Sequence, residues 1–202
     1  MRGSAVAIIF ILVNIIAITI FMIVSTTSIK ESILTEEKLS RESLDSIIDT
    51  YYKKNIASEN YYNAVSVIPK IDIYVLHSLS NYIERIKSIE ADSTLIEKPL
   101  TFQEYQYIQA RITENINKIN YTARNYPVLR TNQNYISALN EMRPIIEDEK
   151  KYISAYNDHV LEYNRLTTTP PSSIVAGIMG KFPFLKFETG TNIIAQTANM
   201  FQ

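Results

Sequence analysis

Two histidines are the first residues to weigh for chemistry, because one of them, His159, stands three positions before Glu162. On a helix that spacing puts imidazole and carboxylate on one face, as in the carboxylate bundles that hold paired irons. Such a centre also needs a second Glu/His pair and two further inward carboxylates. The chain offers no second pair at that spacing, since His77 stands five residues from Asp72 rather than three. Cysteine is absent, which removes thiolate zinc sites, cysteine nucleophiles, disulfides and lipoprotein-type anchoring together. Serine is plentiful, but no G-x-S-x-G elbow accompanies it, and four scattered glycines cannot build a phosphate-cradling loop. The residue types therefore predict no catalytic, cofactor-binding or metal site, and a protein that is not an enzyme. Twenty basic against 21 acidic residues give a net charge of -1 with no basic stripe, which argues against nucleic acid as a partner.

The elements that could position functional groups are easier to read. From Ala5 to Val24 the chain carries no charge, and twenty helical residues at about 1.5 Å each cross a hydrocarbon core of about 30 Å. The run exceeds a signal-peptide core, and the following Ser25-Thr26-Thr27-Ser28 offers no small-residue cleavage site, so an uncleaved single-pass anchor is expected. Asn14 either bonds across a helix pair or its own helix backbone. Arg2 precedes the span, while Lys30, Lys38 and Arg41 follow it among Glu31, Glu36 and Glu37, so the flanking charges favour neither side of the membrane.

Residues 1–4 form a short N-terminus, 5–24 the transmembrane helix, and 25–56 a helical stalk or first bundle helix free of Gly and Pro. Residues 57–169 read as an elongated antiparallel bundle of three to four long helices in an all-α fold. Its first seam takes Ile68, Val75, Tyr82 and Ile89 with Asp72, Leu79 and Ile86; its second takes Tyr105, Ile112, Ile119 and Tyr126 with Ile108, Asn115 and Thr122. The third alternates Leu139, Met142, Ile146, Glu149, Ile153, Tyr156, Val160 and Tyr163 three and four residues apart. Asp72 and Glu149 are its polar seam positions, fixing register or reaching water near a helix end. Thr101 is a predicted N-cap with Glu104 three residues on, and Asn or Thr at 131–134 caps the last long helix. Pro69 and Pro144 mark kinks or first turns, and Pro127 follows a helical run.

Residues 170–188 then turn apolar, with Pro170 and Pro171 stopping the helix, Ser172 or Ser173 capping a short one, and Gly180 ending it. This segment either folds over the bundle as a lid or lies at the lipid interface. Residues 189–202 form a tail.

Three stretches carry a resemblance: YPVLRTNQNY (126–135), the doublet YNDHVLEYN (156–164) and PSSIVAGIMGKFPFLKFE (171–188). In that order they resemble the LemA family of bacterial membrane proteins, over roughly a third of the chain. Members are similar in having an N-terminal span, a helical bundle and a P-S-N-x-(I/V)-A-G-type segment ending in aromatics. The chain departs from that pattern around His77 to Ile83, where the D-L-I-P-N element is absent, and at PIIEDEKKY (144–152). The resemblance implies a bacterial cytoplasmic membrane location and carries over no enzyme activity, cofactor or catalytic residue.

The expected function is a membrane-anchored helical scaffold or adaptor acting through protein–protein contacts, with a membrane-attached ligand-binding or sensory bundle as the alternative. Expected partners are membrane lipid through residues 5–24, an unidentified protein, and a second copy of the chain. Candidate partner or membrane contacts are Ile174, Val175, Ile178, Phe182, Phe184 and Phe187; seam residues of the bundle are Leu139, Ile153, Tyr156, Val160 and Tyr163.

Overall fold

The computed structural model describes residues 2–68, 71–123, 126 and 131–188. The expectations for Pro69, Pro127 and the 189–202 tail lie outside those residues. Five α-helices and one 3-10 turn occur among the described residues: α1 (Arg2–Ser66), α2 (Ile73–Ile86), the turn Ser93–Glu97, α3 (Pro99–Ala123), α4 (Gln133–Thr168) and α5 (Ser172–Ile178). No strand occurs among them, and the all-α bundle read from the heptads is the observed class.

Span and stalk belong to one uninterrupted helix, α1, because neither Pro nor Gly stands between Ser4 and Ser66. Its N-terminal part is long and apolar enough to cross a membrane, and every large apolar side chain from Phe10 to Val24 is exposed. Asn14 donates to the Phe10 carbonyl at 2.8 Å and Thr19 to that of Ile15 at 2.8 Å. The polar groups of the apolar run are thus satisfied within their own helix.

The chain divides into two compact units, described in turn. The larger holds residues 40–158 and 185–188. Within it α1 buries Ser40, Leu44, Ile47, Tyr51, Lys54, Ser58, Tyr61 and Val65, alternating four and three residues apart without a break. This is a full heptad seam. Hydropathy does not reveal it, because Ser40, Lys54 and Ser58 occupy three of its eight places. Helix α3 buries Tyr105, Ile108, Ile112, Asn115 and Ile119, as its period predicts. Asn115 stays polar at no cost: its amide donates to Ser78 Oγ at 3.1 Å and to the Arg111 carbonyl at 3.0 Å.

Three local expectations are corrected. The first seam is shifted: α2 buries Leu76, Leu79, Ile83 and Ile86, leaving Val75, Tyr82 and Ile89 half-buried. The cause is Asp72, which is the exposed N-cap of α2 rather than a seam residue; its carboxylate accepts from Tyr74 N at 2.8 Å, so no single helix joins Ile68 to Ile89. Helix α3 starts at Pro99, not after a Thr101 cap, with proline in the first helical position where its missing donor costs nothing. Glu104 pairs with Arg85 at 2.6 Å instead of closing a capping box. Tyr126 falls beyond the end of α3. At the start of α4 the predicted cap is Asn132, which accepts from Tyr135 N at 3.0 Å. Pro144 lies on the exposed face of an α4 that continues through it.

The smaller unit holds residues 2–39 and 159–184. Its core is Ile33, Tyr163, Leu166 and Ala176, with Ile29, Val175, Met179 and Phe184 packed against it. Neither serine caps α5: the helix begins at Ser172, whose hydroxyl donates to the Thr169 carbonyl at 2.9 Å. Gly180 does end it, at φ 67°, with Lys181 N bonded to Ala176 O at 2.9 Å and Gly180 N to Gly177 O at 3.1 Å. That pair of bonds is a Schellman motif, and the left-handed residue it requires favours glycine.

Replacing the α2 cap tests the corrected seam. Asp72→Ala should lower stability by about 1 kcal/mol in urea titrations, whereas Asp72→Asn should keep most of it. An Asp72→Ala protein with an unchanged midpoint would mean that the cap contributes nothing.

Candidate functional site

An extended segment lying on helices has no neighbouring strand to take its backbone donors and acceptors, so side chains must. In the larger unit, residues 185–188 are held by amides that carry both functions at once. Asn157 Oδ1 accepts from Phe187 N at 2.8 Å while its Nδ2 donates to Phe187 O at 2.9 Å. Gln106 Oε1 accepts from Glu188 N at 2.9 Å and its Nε2 donates to Lys186 O at 3.3 Å. Tyr156 OH donates to Leu185 O at 2.7 Å. Each such bond contributes about 1 kcal/mol net, and leaving the buried backbone groups unpaired would cost more.

The clamp delivers Phe187 into an aromatic box. Its ring centroid lies 4.9 Å from Phe102, 5.1 Å from Tyr156 and 6.2 Å from Tyr51. In the smaller unit Asn164 treats Phe184 as Asn157 treats Phe187, accepting from its N at 2.8 Å and donating to its O at 2.8 Å. The Tyr163 and Phe184 rings stack at 4.3 Å with their planes 13° apart.

A second arrangement lies beneath a groove of the larger unit. Lys54 is 0% exposed, and its ammonium donates to Glu149 Oε2 at 2.8 Å and to the Gln109 carbonyl at 3.4 Å. It also lies 5.0 Å from the Tyr51 ring centroid. Glu149, the polar break in the third seam, is thus the counter-charge of a lysine in the first helix. Burial pushes the Tyr51 phenol well above its ordinary value, and the Glu149 carboxylate adds to the rise. Burial likewise raises Tyr61, Tyr105 and Tyr156.

The groove, of about 1000 Å³, runs between α3 and α4. Val75, Ala110, Tyr121 and Ile153 line it, and Glu114, Lys118, Lys150 and Asp158 are among its charged residues. Tyr51 and Glu149 reach it from below.

The sequence-predicted site residues separate by environment. Tyr156, Val160 and Tyr163 are buried; Leu139 and Ile153 are half-buried. Phe187 is buried, Val175 and Phe184 are half-buried, and Ile174, Ile178 and Phe182 are exposed. His159 and Glu162 do not act together. His159 Nδ1 lies 3.1 Å from Glu36 Oε2, and Glu162 pairs with Arg165 at 2.5 Å. No three His, Asp or Glu side chains converge as metal ligands among the described residues. Lys54 and Gln106 escape sequence reasoning, since a lone lysine or glutamine in a helix reads as solvated. The paired asparagines of the Tyr-Asn doublet were the available signal.

A sequence profile of the LemA family matches residues 53–199, nearly three quarters of the chain. The chain belongs to the LemA family. The match reaches well upstream of Tyr126, so this LemA protein shares family character through α2 and α3 as well as through the Tyr-Asn doublet and the segment it clamps. No curated protein sequence matches it.

Two outcomes test this chemistry. Tyr51, Tyr61, Tyr105 and Tyr156 keep their protons in the folded chain, while the unfolded chain releases them near pH 10, so the unfolded state binds fewer protons above that pH. Stability should therefore be unaffected below pH 10 and fall above it by about 1.4 kcal/mol per pH unit for each tyrosine. Helical ellipticity and tyrosinate absorbance should change in one transition; complete ionisation without loss of helix would contradict the burial. For the ion pair, Glu149→Gln should destabilise by about 3 kcal/mol by stranding the Lys54 charge, and Lys54→Met/Glu149→Leu should return to within about 1 kcal/mol of the parent.

Proposed function

We propose that this LemA protein is a single-pass, membrane-anchored helical scaffold of the bacterial cytoplasmic membrane that holds a partner protein and performs no chemistry of its own. The observation that carries this reading is the groove between α3 and α4. Along α3 it extends from Gln106 to Thr122, which at 1.5 Å per residue is about 24 Å, the length of four to five helical turns. Its apolar lining and charges of both signs suit an amphipathic partner helix whose apolar stripe is flanked by mixed charge. The apolar run of α1 would tether the chain to the membrane, and a membrane-bound partner then meets it at raised effective concentration.

A second reading, a sensory bundle that takes a small molecule, is favoured by the volume of the same groove, at the upper end of small-molecule sites, and by Tyr51 and Glu149 beneath it. Small-molecule-induced melting shifts of the purified protein that Ala110→Arg abolishes would support it over the scaffold.

A photocrosslinking residue at Asn117, in the groove, should give a discrete protein adduct in intact cells. The adduct should disappear in an Ala110→Arg background that retains native helical ellipticity. The same adduct from exposed Tyr52, or its persistence with Ala110→Arg, would overturn the scaffold surface.

A further inference from the structure

Within the smaller unit, α5 is amphipathic in an incomplete way. Ala176 is buried in one core with Ile33 of α1, and Val175 and Met179 pack against that core, but Ile174 and Ile178 on another face are 64% and 83% exposed. Phe182, four residues further on, is 75% exposed. These three side chains have no cover in their unit, and the segment carrying them is held firmly. The Schellman motif at Gly180, the Lys181 ammonium 2.6 Å from Glu37 Oε2, and the clamp and ring stack on Phe184 fix it at successive points. A segment so fixed cannot fold its exposed apolar groups inward.

Its position along α1 says what covers them. The apolar run of α1 ends at Val24, and Ile29, which packs against the same small core as Val175 and Met179 of α5, follows five residues later in the same unbroken helix. That is a rise of about 7.5 Å, and the polar layer of one bilayer leaflet is about 5–8 Å deep. The short helix is thus held at headgroup level by the helix that crosses the hydrocarbon. An aliphatic and aromatic cluster at that depth is the composition that partitions into the headgroup–acyl boundary.

We infer that Ile174, Ile178 and Phe182 form an interfacial lipid-contact site that inserts into the leaflet where the span emerges. The inference rests on the reading of α1 as a transmembrane helix. One span leaves tilt and rotation free; a second, off-axis contact with the same leaflet restrains both. The site makes the smaller unit a two-point attachment to the membrane.

The chain contains no tryptophan, so each introduced one is a unique reporter. Full-length Ile15→Trp, Ile178→Trp and Phe182→Trp proteins are reconstituted in phosphatidylcholine vesicles with lipids brominated at shallow or deep acyl positions, with free N-acetyltryptophanamide as the aqueous reference. The two latter substitutions fall at exposed positions, and native helical ellipticity checks that the fold is kept. Ile15→Trp should be quenched most by deep bromines. Ile178→Trp and Phe182→Trp should emit blue-shifted light and lose about half their intensity to shallow bromines, as expected of groups at the interface. If Ile15→Trp is quenched while the other two behave like the aqueous reference, the lipid site is wrong and the span stands. Blue-shifted but unquenched emission means that protein covers the face, which also overturns the site. Unquenched Ile15→Trp removes the span and the inference with it.

Discussion

A full positive charge in a helix seam constrains this bundle more than any apolar contact does. Lys54 reaches Glu149 on α4 and the Gln109 carbonyl on α3 from its own place in α1, so three helices meet at one level around one ammonium. Apolar seams of Ile, Leu and Tyr tolerate axial slippage, because one such residue substitutes for another with modest loss. A slip of one turn, about 5.4 Å, would instead strand a desolvated charge at a cost of several kcal/mol. The Tyr51 ring beside Lys54 also touches Tyr105 at 5.5 Å and Phe187 at 6.2 Å. Register set by the ion pair therefore fixes the aromatic box, and the box fixes where residues 185–188 lie.

The same constraint explains what the sequence could and could not convey. The seams of α3 and α4 are legible because most places in them are apolar, and Glu149 stands out as the one charged exception. The α1 seam is illegible for the complementary reason: its lysine is the partner of that exception, and Ser40 and Ser58 take two more of its places. An ion pair between seams 95 residues apart removes an apolar signal from both, and nothing in the local pattern says that the two absences belong together. The one-residue shift in α2 has a different origin. Period counting carries a seam across any residue, whereas Asp72 ends one backbone conformation and begins another, so the phase is reset at Ile73.

The Tyr-Asn doublet was readable as two inward rings one heptad apart, but not for what its asparagines grip. Each amide takes the donor and acceptor of one residue in a segment 20 to 30 positions downstream, as a strand neighbour would. Within the smaller unit Asn164 grips Phe184 in this way, and within the larger Asn157 grips Phe187. Neither partner shows this alone, because an asparagine in a helix and a phenylalanine in an extended segment are each ordinary for their own conformation.

Hydropathy gives residues 170–188 a single character, yet their apolar side chains are divided by geometry into two groups. Val175, Ala176 and Met179 share the side of α5 that belongs to the small core of Ile33, Tyr163 and Leu166, and Phe184 and Phe187 are drawn in by asparagines. Ile174 and Ile178 are one helical turn apart on the remaining side, and Phe182 follows after the left-handed Gly180 has redirected the chain. The first group is required by the protein's own packing. The second is an exposed apolar surface with no structural role inside its unit, and soluble domains seldom present one without a reason. The core that α5 enters includes Ile33 of α1 and is met by Ile29, nine and five residues beyond the end of the apolar run at Val24, and on that proximity rests the inference that lipid covers this surface.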